Sequence, residues 1–181
     1  MADESGSGGS QLMVYVRIGL RALALFFAII VMGVISDKLQ LNFGVLDVCI
    51  FGLTLGRNSG DKNACNYGIA IAVLTVLFVI TYIILDILLF LRDMGNAVIK
   101  KFVTIGDLVG SAFFALLWIV AFIYLLAKWD DAGPKSLEVV GKSIDDYAPD
   151  AGAVIAFSLF SGILWIALAV MAGIRVKSAL A

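Results

Sequence analysis

The stretch GIAIAVLTVLFVITYIILDILLFL, residues 68–91, carries one formal charge, Asp86, and no proline. A helix crossing a hydrocarbon core of roughly 30 Å needs about 20 mostly apolar residues. This stretch meets the requirement and predicts a membrane span. Working outward, three more stretches read the same way: 13–36 before it, then 102–127 and 152–174 after it. None contains proline, because Pro134 and Pro149 both fall between the third and fourth spans, where a missing backbone donor costs little. Short connections set consecutive helices antiparallel. The expected fold is therefore all-α and integral to the membrane, an antiparallel bundle of four transmembrane helices.

Composition excludes most alternatives. Of 181 residues, 62% are hydrophobic and 15% charged, against about 45–50% and 25% in soluble domains. That leaves too little polar surface for a soluble enzyme and too much apolar surface for a disordered chain. Thirteen basic and 14 acidic residues give a net charge of −1, so no basic field invites nucleic acid. The absence of histidine removes the commonest metal ligand and general base. No phosphate-binding loop, nucleophile elbow, zinc-protease or dinucleotide motif occurs. No catalytic residue, metal or cofactor is expected. There is no N-x-[ST] sequon and no lipidation motif.

One membrane domain, 13–177, is expected between a Gly/Ser-rich flexible tail, 1–12, and a short terminus, 178–181. The first span is too long for a signal-peptide core, and no small-residue cleavage site precedes Asp37 and Lys38. It reads as a retained anchor. Seven basic residues (Arg17, Arg21, Arg92, Lys100, Lys101, Arg175, Lys177) flank the spans on one side in little chain, against six dispersed among acidic residues on the other. The positive-inside rule then places both termini in the cytosol. The loops 37–67 and 128–151 face a lumen or the exterior. Cys49 and Cys65, the only cysteines, share the first of these loops. An even pair in an oxidising compartment reads as a disulfide, with two free thiols as the alternative. Val48, Ile50, Leu53 and Thr54 suggest a short strand there, pairing back as a β-hairpin.

Charges inside the spans come next, since an ionisable group at midspan costs at least ~2.5 kcal/mol on insertion scales. Arg17 and Arg21 lie one turn apart on one helix face, Asp86 late in span two, and Asp107 early in span three. Antiparallel topology brings them to one leaflet at matching depth. An Arg21–Asp86 ion pair with Asp107 as third member is the expectation. Snorkelling without a partner, or an ion or proton relay through Asp86, are the rivals. Small residues repeat at four-residue spacing in Gly106/Gly110, Gly68/Ala72, Ser158/Gly162 and Ala169/Gly173. Such faces allow close helix approach, within the bundle or across a homo-oligomer. Ser111, Ser158 and Ser161 are expected to hydrogen-bond across helices. Tyr15, Tyr67, Tyr124, Trp129 and Tyr147 form an interfacial belt.

Several of these segments resemble the synaptogyrin branch of the MARVEL-domain, four-span vesicle proteins. Cys49-Ile50-Phe51 is similar to the C-x-F of the family's lumenal loop, and Ala64-Cys65-Asn66-Tyr67-Gly68-Ile69-Ala70-Ile71 to its A-C-x-Y-G-x-A-I. Ile105-Gly106-Asp107-Leu108 resembles its I-G-D-L, and Phe157-Ser158-Leu159-Phe160-Ser161 with Trp165 its F-S-x-F-S and tryptophan. Asp86, Trp118 and Trp129 also fall at family positions. The resemblance covers roughly 45–175 and implies a MARVEL four-helix bundle in a synaptic-like cytoplasmic vesicle membrane. It implies a non-enzymatic role in vesicle biogenesis, trafficking, membrane curvature and regulated exocytosis. The implied partners are membrane lipids and other vesicle membrane proteins. The tyrosine-bearing tail of typical members is not among residues 1–181, and the second lumenal loop is longer and more acidic than usual. Two rivals differ in class. A small ion or proton transporter or channel subunit would use Asp86. A claudin-type junctional protein would need a G-L-W in the first loop, and 37–67 holds no tryptophan.

Overall fold

The computed structural model describes residues 5–42, 47–52, 63–92, 97–131, 138–139 and 142–180. Four long helices dominate: α1 (Ser5–Val34), α2 (Asn63–Arg92), α3 (Ala97–Asp131) and α4 (Ala148–Leu180). All four are long and apolar enough to cross a membrane, over Leu12–Leu39, Asn63–Leu88, Lys101–Asp130 and Asp145–Lys177. Consecutive helices pack against each other and α4 returns to α1, with α3 against α4 the most extensive interface and α2 against α3 the slightest. The expected four-helix bundle is the observed fold.

The helices overrun the predicted spans. Helix α1 takes in residues from Ser5 onward, where a flexible tail was expected. Extending an existing helix adds a hydrogen bond per residue fixed, so elongation is far cheaper than nucleation. Pro149 is not in a connection but is the second residue of α4. In the first turn its missing N–H would have had no intrahelical partner anyway.

The buried positions explain the bundle. On α1 they are Arg17, Arg21, Ala24, Ala28 and Val31, continued by Ile35 just past its end, and on α3 Thr104, Asp107, Ser111, Phe114, Trp118, Ala121 and Leu125. On α4 they run through Ala151, Val154, Ser158, Ser161, Trp165, Leu168 and Ala172. Alternating steps of three and four keep one narrow face toward the neighbours, the pattern of shallow-angle helix packing. Outside these seams large apolar side chains face outward, among them Leu77, Val109, Leu116 and Val170 at 58–67% exposure. Water would not tolerate so much apolar exposure; lipid does. Phe114 stacks on Trp165 with ring centroids 5.0 Å apart, and Phe78 of α2 meets both, at 4.8 and 5.6 Å. This aromatic group fills the middle of the bundle.

At the end opposite the termini, α1 passes into a π-helical turn, Ile35–Leu39, closed by the Gln40 N–H donating to the Ile35 carbonyl. Strands β1 (Gln40–Asn42) and β2 (Asp47–Cys49) then pair antiparallel, with Leu41 opposite Val48. The expected strand therefore exists but stops earlier, because Ile50–Gly52 is already a 3-10 turn. Leu53 and Thr54 lie outside the described residues. A second ribbon, not foreseen, joins β3 (Glu138–Val139) to β4 (Lys142–Ser143).

Candidate functional site

At the end of the bundle that holds both termini, the seams carry charge instead of hydrocarbon. Arg21 is fully buried at the centre, and its guanidinium forks between two helices. Nη1 donates to Asp86 Oδ2 on α2, and Nη2 donates to Asp107 Oδ1 on α3. Nη1 also reaches the Tyr82 carbonyl oxygen at 3.5 Å, and the cation lies 5.1 Å from the centre of the Tyr82 ring. Two more arginines approach the remaining carboxylate oxygens. Arg17 Nη1 is 3.8 Å from Asp86 Oδ1, and Arg175 Nη1 of α4 is 3.8 Å from Asp107 Oδ2. Ser111, one turn along from Asp107, donates to Asp107 Oδ1 at 3.4 Å. Every helix thus contributes at least one charge to a single junction. A planar, permanently charged fork is the side chain suited to hold two carboxylates from different elements at once.

The structure brings Arg21, Asp86 and Asp107 together as a three-member cluster and adds Arg17 and Arg175. Arg175 had been counted only as a flanking cation. It falls three residues beyond Ala172, so continuing the buried seam of α4 would have pointed to it. Ser111 does not bond across helices as expected: its partner Asp107 is on its own helix. Ser158 donates to the Val154 carbonyl of its own helix at 2.8 Å, and Ser161 Oγ is buried with no partner. A serine hydroxyl on a helix finds the carbonyl one turn back more easily than a neighbour at helix-packing distance. A bond that does cross helices at midspan runs from Trp118 Nε1 on α3 to Thr75 Oγ1 on α2, at 3.0 Å. Sequence reasoning did not single out this pair.

The small residues face the neighbouring helices. A Cβ on Gly106 would stand 2.8 Å from the Tyr82 hydroxyl, one on Gly162 2.7 Å from Ile119 Cδ1, and one on Gly110 would run into the Phe78 ring. These positions serve contacts inside the bundle, α2 to α3 and α3 to α4.

At the other end, Cys49, the last residue of β2, is joined to Cys65 in the first turn of α2, with S–S 2.03 Å and Cα–Cα 5.9 Å. Both cysteines are fully buried with Phe51, whose ring meets Trp129 edge-on at 6.2 Å. The Cys65 sulfur lies 3.8 Å from the Leu39 carbonyl oxygen, a packing contact, since a disulfide sulfur has no proton to donate. Tyr67 and Tyr124 meet edge-on at 5.6 Å, and Tyr147 is buried, while Tyr15 is 67% exposed. The bundle is closed by covalent chemistry at one end and ionic chemistry at the other.

The membrane-associating (MARVEL) domain profile matches residues 14–171, which covers α2 and α3 and most of α1 and α4. The chain belongs to the MARVEL family. Within it, the similarity is to synaptogyrins. Synaptogyrin-1 of Homo sapiens is 34% identical over 155 residues, covering 84% of this chain and 60% of the human protein. Synaptogyrin-2 of Rattus norvegicus is 33% identical over 180 residues, covering 96% of this chain and 73% of its own. Synaptogyrin-2 of Bos taurus is 33% identical over 164 residues, or 90% and 66%. The chain thus spans about 60% of the length of the synaptogyrin-1 it matches. This synaptogyrin-like MARVEL bundle is a multi-pass membrane protein. Chemically, the ionic junction fits a lock between helices. Between it and the disulfide end, α3 from Leu108 to Ala127 and α4 from Ala151 to Ile174 carry no charged residue.

Proposed function

We propose that this MARVEL protein is a non-enzymatic vesicle membrane protein. It acts in vesicle biogenesis, trafficking and regulated exocytosis by packing in the bilayer and contacting other vesicle membrane proteins. Both termini face the cytosol, and the disulfide-bearing loop faces the lumen. The observation that carries this reading is the combination of synaptogyrin similarity along the bundle with a middle packed by aromatic side chains. Trp118, Trp165, Phe78 and Phe114 fill the bundle's middle, and the buried charged groups Arg17, Arg21, Asp86 and Asp107 gather at one end. A proton or ion relay needs further ionisable stations across the bilayer, which the uncharged stretches of α3 and α4 do not supply.

Two measurements test the reading together. Vesicles immuno-isolated through a tagged full-length chain should contain it with other vesicle membrane proteins, and its depletion should slow stimulated release. Purified protein in liposomes should pass no ion or proton current above empty vesicles. A flux lost on Asp86→Asn with the fold intact would replace this reading by transport.

A further inference from the structure

We propose that the terminal end of the bundle binds a phosphate-type anion at Arg17, supplied either by the headgroup of an acidic phospholipid or by free phosphate. The inference rests on the placement of the bundle in a membrane and not on the trafficking role. Three guanidiniums, from Arg17, Arg21 and Arg175, meet two carboxylates, Asp86 and Asp107, so the junction carries a surplus positive charge. Arg21 takes the short contacts to both carboxylates. Arg17 is left at 3.8 Å from Asp86, beyond hydrogen-bond range. Its Nε and Nη1 are buried and have no acceptor, and the residue is only 4% exposed. Arg175 is in a different position, because its side chain is 39% exposed and can be hydrated.

A charged donor left unmatched away from water costs more than a neutral one, and a protein has two remedies: a local carboxylate or a bound anion. Among the described residues, both carboxylates of the junction are engaged. Arg17 lies five residues inside the span that begins at Leu12, which at 1.5 Å per residue is about 7 Å below its edge. At that depth a phosphate at the headgroup level is within reach of a long side chain. On the same end of α1, Met13 and Val16 are 53% and 45% exposed, and Leu88 of α2 is 45% exposed, surfaces suited to the acyl chains of such a lipid. Guanidinium favours phosphate oxygens as acceptors.

The test uses the purified full chain in mild detergent, titrated separately with phosphatidylserine, phosphatidylcholine and sodium phosphate at matched ionic strength. Native mass spectrometry counts bound lipid, and thermal melting follows stability. Wild type should take phosphatidylserine at least ten-fold more tightly than phosphatidylcholine and melt higher with it. Arg17→Gln should lose that preference and, without acidic lipid, melt no lower than wild type, because three against two becomes two against two. Arg17→Lys, which keeps the charge, should retain part of the preference, and Lys177→Gln, at an exposed cation, all of it. Inorganic phosphate that raises wild-type melting and displaces the lipid assigns the site to the free anion; phosphate without effect assigns it to the lipid headgroup. The proposal is overturned if Arg17→Gln keeps the preference, if Lys177→Gln loses it equally, or if wild type responds to neither probe. It is also overturned if Arg17→Gln melts well below wild type in phosphatidylcholine alone.

Discussion

Arg21 holds two carboxylates on different helices with one planar group, and this geometry makes a specific demand on the residue. Lysine presents a point charge with no fixed fork, so Arg21→Lys cannot reproduce both short contacts. Breaking a buried ion pair by removing one partner typically costs ~3–5 kcal/mol, softened here by snorkelling and water near the interface. Thermal unfolding in detergent should rank wild type above Arg21→Lys, and Arg21→Lys above Arg21→Ala. Adding Asp107→Asn to Arg21→Ala should cost less than the sum of the two single changes, because the partners are in contact. Wild-type stability in Arg21→Lys would show that charge alone, without the fork, secures the junction. Much of this site was legible in the sequence: an arginine and two aspartates inside otherwise apolar spans, at matched depth, have few alternatives to pairing. Arg175 was not legible by that argument, since a cation near a helix end is satisfied at the interface without any partner. Arg17 was read on the same helix face as Arg21 but given no separate chemistry, because surplus charge emerges only once all the members are counted together.

The helices were legible because length and hydropathy alone set the requirement for crossing a bilayer. Which face turns inward was harder to see. In lipid both faces are apolar, so the contrast that marks an amphipathic helix in water is missing. What distinguishes the seam is small, aromatic and polar residues at alternating steps of three and four, and the glycines on it are its most exacting positions. On α3, Gly110 receives the Phe78 ring of α2 where the interface between these helices is slightest. A methyl group there forces ring or backbone to shift, and overpacking of this kind costs about 1–3 kcal/mol. Gly110→Ala should therefore lower the melting temperature in detergent, and Phe78→Leu should recover part of the loss when combined with it. Equal losses for Gly110→Ala with and without Phe78→Leu would mean that the ring is not what Gly110 accommodates. The short ribbons were read less well. Two- and three-residue strands offer no alternation to detect, which is why β3 and β4 were missed and β2 was drawn too long.

Four helices in sequence return the chain to its starting side, so the ionic junction and both termini share one end and the disulfide lies at the other. Lys38 sits at the disulfide end with its side chain 57% exposed, and exposed Lys177 at the terminal end. With the native cysteines oxidised, Lys38→Cys and Lys177→Cys provide two separate reporters. In sealed vesicles an impermeant maleimide should label one variant, and label the other only after permeabilisation. Labelling of both from the same side in intact vesicles would rule out the three crossings that separate them. The position of the junction along the bundle also has an electrical consequence. Its surplus charge, at Arg17, lies about a quarter of the way into a hydrocarbon core of roughly 30 Å. Moving one elementary charge across the full membrane potential is worth ~2.3 kcal/mol per 100 mV. At that depth the field does only about 0.6 kcal/mol of work per 100 mV, less than the cost of parting Arg21 from either aspartate. The four helices will hold their register through a swing in voltage, and the bundle will be mechanically deaf to membrane potential.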